Sequence, residues 1–403
     1  MNRQFNYKIS KSDVLKYVLT MMLWINFLAT FFPANSGSIL WKFIPNEDAY
    51  TDKWLRLVTV FNFGCLIFIV FYRRKFKYSI ILFYCLFLWI FYLISRFYNV
   101  TVGDYISIVV IPIEYLGFYL IFRYGTLSHK SLKYILILSG LWIAIPILMF
   151  LFGSIQTKLT FMSLGNGKIS TYGGFALHRN YFGYYAGLAI LLFIFSNIKK
   201  YIKTIVILLG IIAIFVSASR SAFVCLFAAI GIYVWKSNKK WRMPLIISMG
   251  VVGLLYYILA TQIQIRTGDI MYTSDREDLF QAFSDTISTH PLLGKGSFTR
   301  FYSESYPNGA QAHNFVLQVW SDYGLITLLF FSLFWGSIFY YGDIKVRTFI
   351  AYLILFGLFQ PYFILGMPSH FVCMDILFAC LVDGRIHGNK KLKKLTHVCI
   401  PNN

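Results

Sequence analysis

Arg220 lies in Ser217-Ala218-Ser219-Arg220-Ser221, a short polar break between two long apolar blocks. So few residues separate the blocks that the guanidinium is expected at a membrane surface, where its planar fork of donors calls for an anion. Arg179 follows the glycine-rich stretch Tyr172-Gly173-Gly174 and directly precedes Asn180-Tyr181 at the head of another apolar block. Arg276 lies in the charged cluster Asp275-Arg276-Glu277-Asp278. His313 and Asn314 open a further apolar stretch that includes Phe315, Val316, Val319 and Trp320. Each arginine also has a plain structural reading, that of an interfacial side chain that snorkels or pairs with a carboxylate. A lone histidine at such a place is often an interfacial or capping residue.

The elements that must carry these residues are membrane spans. Apolar residues make up 58% of the 403-residue chain and charged residues only 13%, against about 25% charged in soluble domains. The apolar residues come in blocks of about 16 to 21, enough to cross a hydrocarbon core of roughly 30 Å as helices. About twelve blocks are predicted, centred near Trp24, Ile67, Leu88, Ile111, Ile143, Ala189, Leu208, Ala228, Val252, Phe331, Leu355 and Ile376. The fold class expected is therefore all-α, a polytopic integral membrane protein formed as one membrane domain over residues 1–403. Met1 to Lys16 is polar and the first apolar block has no small-residue cleavage site, so no cleaved signal peptide is expected.

Charge sets the orientation, because Lys and Arg are retained on the cytoplasmic side. With the N-terminus inside, 25 of the 37 basic residues fall in short cytoplasmic segments, including Lys199, Lys200 and Lys203, Lys236 to Arg242, Lys345 and Arg347, and a basic tail over 384–403. Both termini are then cytoplasmic. The net charge of +21 is a product of this topology, so nucleic acid is not an expected partner and contact with anionic membrane lipids is. The six cysteines fall in spans or the tail, so neither a disulfide nor a zinc site is expected. Arg179, Arg220 and Arg276 belong to the basic residues that this sorting leaves on or near the outer face.

The longest outer segment, residues 262–314, lies between the ninth and tenth blocks, and long loops in compact proteins are usually functional. Within it, Arg276 to Phe283 has helical apolar spacing, His290-Pro291-Leu292-Leu293-Gly294-Lys295-Gly296 follows, and Ala312-His313-Asn314-Phe315 closes it. The stretch from Phe315 reads as an amphipathic helix at the membrane surface, with Gly324 turning the chain inward.

Ser219-Arg220-Ser221-Ala222 before a span resembles the signature of the O-antigen ligase and Wzy-type polymerase superfamily. The run from Arg276 through Pro291 to Gly296 and on to His313-Asn314, with Tyr323-Gly324-Leu325-Ile326 just after it, is similar to the long extracytoplasmic loop of that superfamily. Arg179-Asn180 is similar to its asparagine-containing approach to a span. The resemblance covers most of residues 172–345.

The resemblance implies a GT-C-like, metal-independent glycosyltransferase in the bacterial inner membrane, with its active site outside and no cofactor. The donor and acceptor implied are oligosaccharides linked to undecaprenyl pyrophosphate. Such an enzyme must hold two phosphates and take a proton from an attacking sugar hydroxyl. Arg220, Arg179 and Arg276 are the residues implied for the pyrophosphate, and His313 for the proton, with Asn314, Asn180 and Ser219 in support. At a helix N-terminus the macrodipole disfavours imidazolium and keeps His313 basic.

His178, His290 and His370 are substitutes for that role. Asp322 reads as a solvated helix residue that could orient His313, and Glu114 with Arg96 as an ion pair. Within the superfamily a polymerase is favoured, with a chain-length regulator protein as a further partner. A ligase acting on lipid A core or protein is the alternative, and a polysaccharide flippase or other transporter the alternative outside it. Carboxylates from Asp275 to Asp278 could hold a divalent cation, but no Asp-x-Asp pair, phosphate-binding glycine loop or His-Glu-x-x-His occurs.

Overall fold

The computed structural model describes residues 80–98, 129–154, 172–176, 179–196, 198–237, 276–296, 301–303, 306–342 and 344–360, with scattered positions besides. The helices are α1 (Ile80–Tyr98), α2 (His129–Phe152), α3 (Arg179–Phe195), α4 (Lys200–Val216), α5 (Arg220–Ser237), α6 (Arg276–Thr289), α7 (Phe315–Tyr341) and α8 (Ile344–Phe359). Gly174–Ala176 forms a 3-10 turn before α3. Seven of the twelve block centres fall in these helices. Those at Trp24, Ile67, Ile111, Val252 and Ile376 lie outside the described residues, as do Glu114, the Arg96 side chain, His178 and His370. Arg220–Ser237 and Phe315–Tyr340 are long and apolar enough to cross a membrane by length and composition.

The all-α expectation needs one addition. Strands β1 (Phe301–Ser303) and β2 (Tyr306–Ala310) pair antiparallel in the segment before His313, with Phe301 opposite Ala310. The segment is short, and its pairing is set by neighbouring elements more than by pattern.

At the centre lies α3, buried along nearly its whole length from Phe182 to Phe195. An apolar helix with no polar face must be covered all round. Glycines let its neighbours come close, as small residues do between membrane helices. A Cβ on Gly187 would collide with the Tyr352 ring of α8, and one on Gly210 of α4 would lie 2.7 Å from Ile190. Tyr352 also donates its hydroxyl to Tyr184 O at 3.0 Å, tying α8 to α3.

Ring contacts fix the helix directions. Phe195 meets Phe349 at 5.5 Å and Tyr184 meets Phe356 at 4.7 Å, so α8 runs antiparallel to α3. Phe87 and Phe91 meet Phe330 at 5.2 and 5.3 Å, whereas the Ser95 hydroxyl reaches Asp322 O at 3.3 Å, so α1 runs antiparallel to α7 and ends beside the Gly324 break. One end of the bundle therefore gathers the N-termini of α3 and α5, the C-termini of α1 and α8, and the Ser217–Ser219 turn.

The opposite end is basic, and its cations cap helices. Lys203 Nζ donates to Ile194 O at 3.1 Å and Ser196 O at 2.9 Å, closing α3. Arg242 Nε donates to Trp235 O at 3.1 Å near the end of α5, with its guanidinium 4.6 Å from the Trp235 ring. Arg347 donates to Phe339 O, Tyr340 O and Gly342 O at the end of α7. A helix C-terminus exposes carbonyls with no partner and a negative dipole end, and a cation answers both. These charges therefore have an intramolecular role that charge sorting alone does not reveal.

Candidate active site

The turn that carries Arg220 is tight. Ala218 takes a left-handed backbone at φ 49, which costs a residue with a Cβ of the order of 1–2 kcal/mol. Its N–H donates to Phe215 O at 3.0 Å, and the Ser217 hydroxyl donates to Ile214 O at 3.0 Å. Ser219 O then accepts from Phe223 N at 3.2 Å, starting α5 on the next residue. Ser219 is 1% exposed, and its Oγ has no hydrogen bond among the described residues. It lies against Gly183, where an added Cβ would be 2.5 Å from Ser219 Cβ and 3.1 Å from Ala222 Cβ.

That contact places the first turns of α3 and α5 side by side. Arg179 opens α3, one turn before Gly183, and Arg220 opens α5 directly after Ser219; both are half-buried. Two parallel helix N-termini, each headed by an arginine, present N–H groups, positive dipole ends and guanidinium groups at the same end of the bundle, a setting that favours an anion.

A second construction shapes the neighbouring wall. Gly324 interrupts α7 at φ 82 and ψ 171. The bend is sharp, because the Phe315 and Phe331 rings meet at 5.8 Å although sixteen positions of straight helix would span about 24 Å. Such a break strands carbonyls on its first arm and N–H groups on its second.

The loop 291–296 supplies the missing partners. Lys295 and Gly296 donate to Ser321 O and Asp322 O, each at 2.8 Å, while Leu325 and Ile326 donate to Pro291 O at 3.0 Å and Leu292 O at 3.4 Å. Trp320 Nε1 adds a bond to Pro291 O at 2.9 Å, and the Ser95 hydroxyl from α1 donates to Leu293 O. The motif Pro291-Leu292-Leu293-Gly294-Lys295-Gly296 is thus the splint for Tyr323-Gly324-Leu325-Ile326.

His313 sits at the head of the first arm, also in a left-handed conformation at φ 49. Asn314 caps the helix, its Oδ1 accepting from Val316 N at 2.8 Å and Leu317 N at 3.3 Å. Before His313, Ala312 N–H donates to Gln318 Oε1 at 2.9 Å, and Gln318 Nε2 donates to Asp322 Oδ2 at 2.9 Å. The imidazole is held from α8, with Nδ1 3.1 Å from Gln360 Oε1. Because Gln360 ends α8 and α8 is antiparallel to α3, His313 belongs to the same end of the bundle as Arg179 and Arg220.

The sequence candidates are distributed as follows. Arg179, Asn180, Ser219, Arg220, His313 and Asn314 all lie at this end. Arg276 opens α6, its side chain outside the described residues; Leu279 and Phe283 of α6 are buried against Ala310, Ala312 and Leu317 beside His313. His290 is exposed, bonded to the adjacent Thr289 hydroxyl at 2.9 Å.

One reading changes. Asp322 is fully buried, not solvated, because its carboxylate accepts from Gln318 and from Ser321 Oγ at 3.4 Å. Along the first arm of α7, Gln318, Val319, Ser321 and Tyr323 are buried, with Tyr92 of α1 against Tyr323. Gln318 and Gln360 were missed. The Gln318–Asp322 spacing of four positions is a readable helical pair, whereas nothing near Gln360 in sequence points to a histidine 47 positions earlier.

The protein is mostly helical, and its long apolar helices around a buried central one are consistent with an all-α membrane protein. Residues 205–332 match the family model described as O-antigen ligase. The matched stretch takes in the Ser219-Arg220 turn, α6, the splinting loop, His313 and the Gly324 break, and it supports the O-antigen ligase and polymerase superfamily. Members are membrane glycosyltransferase-like enzymes acting on lipid-linked polysaccharides. A comparison with curated proteins gives no match.

Proposed function

We propose that this chain is a polysaccharide polymerase of the inner membrane, which moves a growing glycan from undecaprenyl pyrophosphate to a hydroxyl of another lipid-linked repeat unit. The acceptor oxygen bonds to the anomeric carbon as the bond from that carbon to the phosphate oxygen breaks. The electron pair leaves with the lipid pyrophosphate, and the hydroxyl proton passes to the His313 imidazole. Arg179 and Arg220, with Arg276 from α6, hold the pyrophosphate by charge and paired hydrogen bonds, so that no metal is needed.

The observation that carries this reading is that the arginine-headed N-termini of α3 and α5 lie at the same end of the bundle as His313. Lys203, Arg242 and Arg347 occupy the other end, which by the retention of positive charge faces the cytoplasm and leaves the site outside.

The test uses proteoliposomes holding the full chain and a purified lipid-linked repeat unit, with lipid A core added in a parallel set. A ladder of products is expected from the native chain and none from His313→Ala or Arg220→Ala at equal protein levels. Polymer of normal length from His313→Ala overturns the base assignment. Transfer to lipid A core with no ladder replaces the polymerase by the ligase.

A further inference from the structure

We infer that Gln360 is a positioning residue that holds His313 as the Nδ1–H tautomer and so places the imidazole lone pair on Nε2. The inference rests on the proposed reading of His313 as the base. A carboxamide oxygen carries no hydrogen, so in the 3.1 Å contact between Gln360 Oε1 and His313 Nδ1 the ring nitrogen donates. A neutral imidazole has one N–H, and the partner of one nitrogen decides the state of the other.

Both sides of this contact are anchored. Gln360 is 4% exposed, and its backbone N–H donates to Phe356 O at 2.9 Å, continuing α8. The Tyr352 bond to Tyr184 O fixes α8 against α3. On the other side, the Ala312 bond to Gln318 and the Asn314 cap hold the backbone on either side of His313. The ring is therefore presented by two elements that are remote in sequence and each tied down separately.

An amide suits the task. Oε1 goes on accepting from Nδ1–H once Nε2 has taken the acceptor proton, yet being neutral it stabilises the imidazolium less than a carboxylate would. The base can thus be recharged by giving its proton to water.

The experiment is nitrogen NMR on the full chain in lipid nanodiscs, labelled in its 7 histidines, near pH 8, where imidazole is neutral. The His313 signals are assigned by difference from His313→Ala. A pyrrole-type Nδ1 and a pyridine-type Nε2 are expected. Gln360→Leu should abolish that preference and lower kcat about tenfold, less than the roughly 10²–10⁴-fold that the whole general base contributes, with KM for the lipid-linked donor unchanged. Gln360→Glu keeps an acceptor oxygen and should keep proton donation from Nδ1, with activity well above that of Gln360→Leu though below the native level.

A native His313 protonated on Nε2 overturns the inference, as does an unchanged His313 signal in Gln360→Leu. Should Gln360→Leu fail to fold, the native spectrum and Gln360→Glu decide. Activity retained by His313→Ala would instead remove the base assignment and leave the tautomer result standing.

Discussion

Gly294 and Gly324 face each other across one joint: the Gly324 backbone fills the space that a side chain on Gly294 would need, and the Leu292–Leu293 backbone leading to Gly294 fills the space that one on Gly324 would need. A Cβ on Gly294 would lie 2.5 Å from Gly324 N, and one on Gly324 would lie 2.0 Å from Leu292 O, with φ at +68 and +82. Both the close approach and the left-handed backbone require glycine. The pair lets the loop enter the break in α7, and the break is what folds the first arm back toward Gln360.

Gly324→Ala is accordingly expected to destabilise the protein by at least roughly 1–3 kcal/mol, with activity lost in proportion to folded protein. Gly336, later in α7, has nothing within 4 Å of an added Cβ, so Gly336→Ala should be neutral or slightly stabilising. Thermal unfolding of both variants in detergent checks the contrast; equal melting temperatures would contradict the splint.

Gly183→Ala should push apart the first turns of α3 and α5, since the new Cβ meets Ser219 Cβ at 2.5 Å. KM for the lipid-linked donor is expected to rise several-fold as Arg179 and Arg220 separate. Adding Ser219→Gly removes the obstacle and should restore part of the loss, the coupling expected of residues in contact. Additive losses in the double variant would sink this account.

Asp322→Ala removes the acceptor that holds Gln318, at a cost of roughly 1–3 kcal/mol for a buried hydrogen-bond partner left unmatched. Since Gln318 in turn holds the Ala312 peptide, kcat should fall together with stability. Asp322→Asn, which keeps an oxygen at the same place, is expected to be milder in both; steady-state rates and unfolding midpoints measured side by side provide the check.

Arg220→Lys keeps the charge but loses the planar fork. Donor KM should rise at least about tenfold, the factor that corresponds to 1.4 kcal/mol, with little change in melting temperature. Native donor affinity in the lysine variant would argue against paired phosphate contacts at Arg220.

Activity is expected to persist in excess chelator. Loss restored by magnesium would return attention to the carboxylates of Asp275, Glu277 and Asp278, of which Glu277 and Asp278 are exposed on α6.

Much of the site was readable because its parts announce themselves locally. A polar break between apolar blocks marks Arg220, and helical spacing after Arg276 marks α6, whose Leu279 and Phe283 are buried as that spacing requires. An asparagine before an apolar run marks the cap at Asn314. Pairings between distant segments were not readable. Asp322 looks solvated until the loop and Gln318 close over it, and Gln360 gains its meaning only from the packing of α8 against α3. The motifs around Pro291 and Gly324 were visible separately, but only backbone hydrogen bonds reveal them as two halves of one joint.

That joint also limits how the segment before His313 can be exchanged. Residues 291–296 complete the backbone of α7, so they cannot travel with a grafted specificity loop unless the matching Gly324 region travels too. A chimera cut upstream of Pro291 leaves both glycines in register, whereas one cut between Pro291 and Gly324 mates a foreign strap to a native bend. Designers exchanging the segment before His313 would keep the strap and its bend together as an inherited pair.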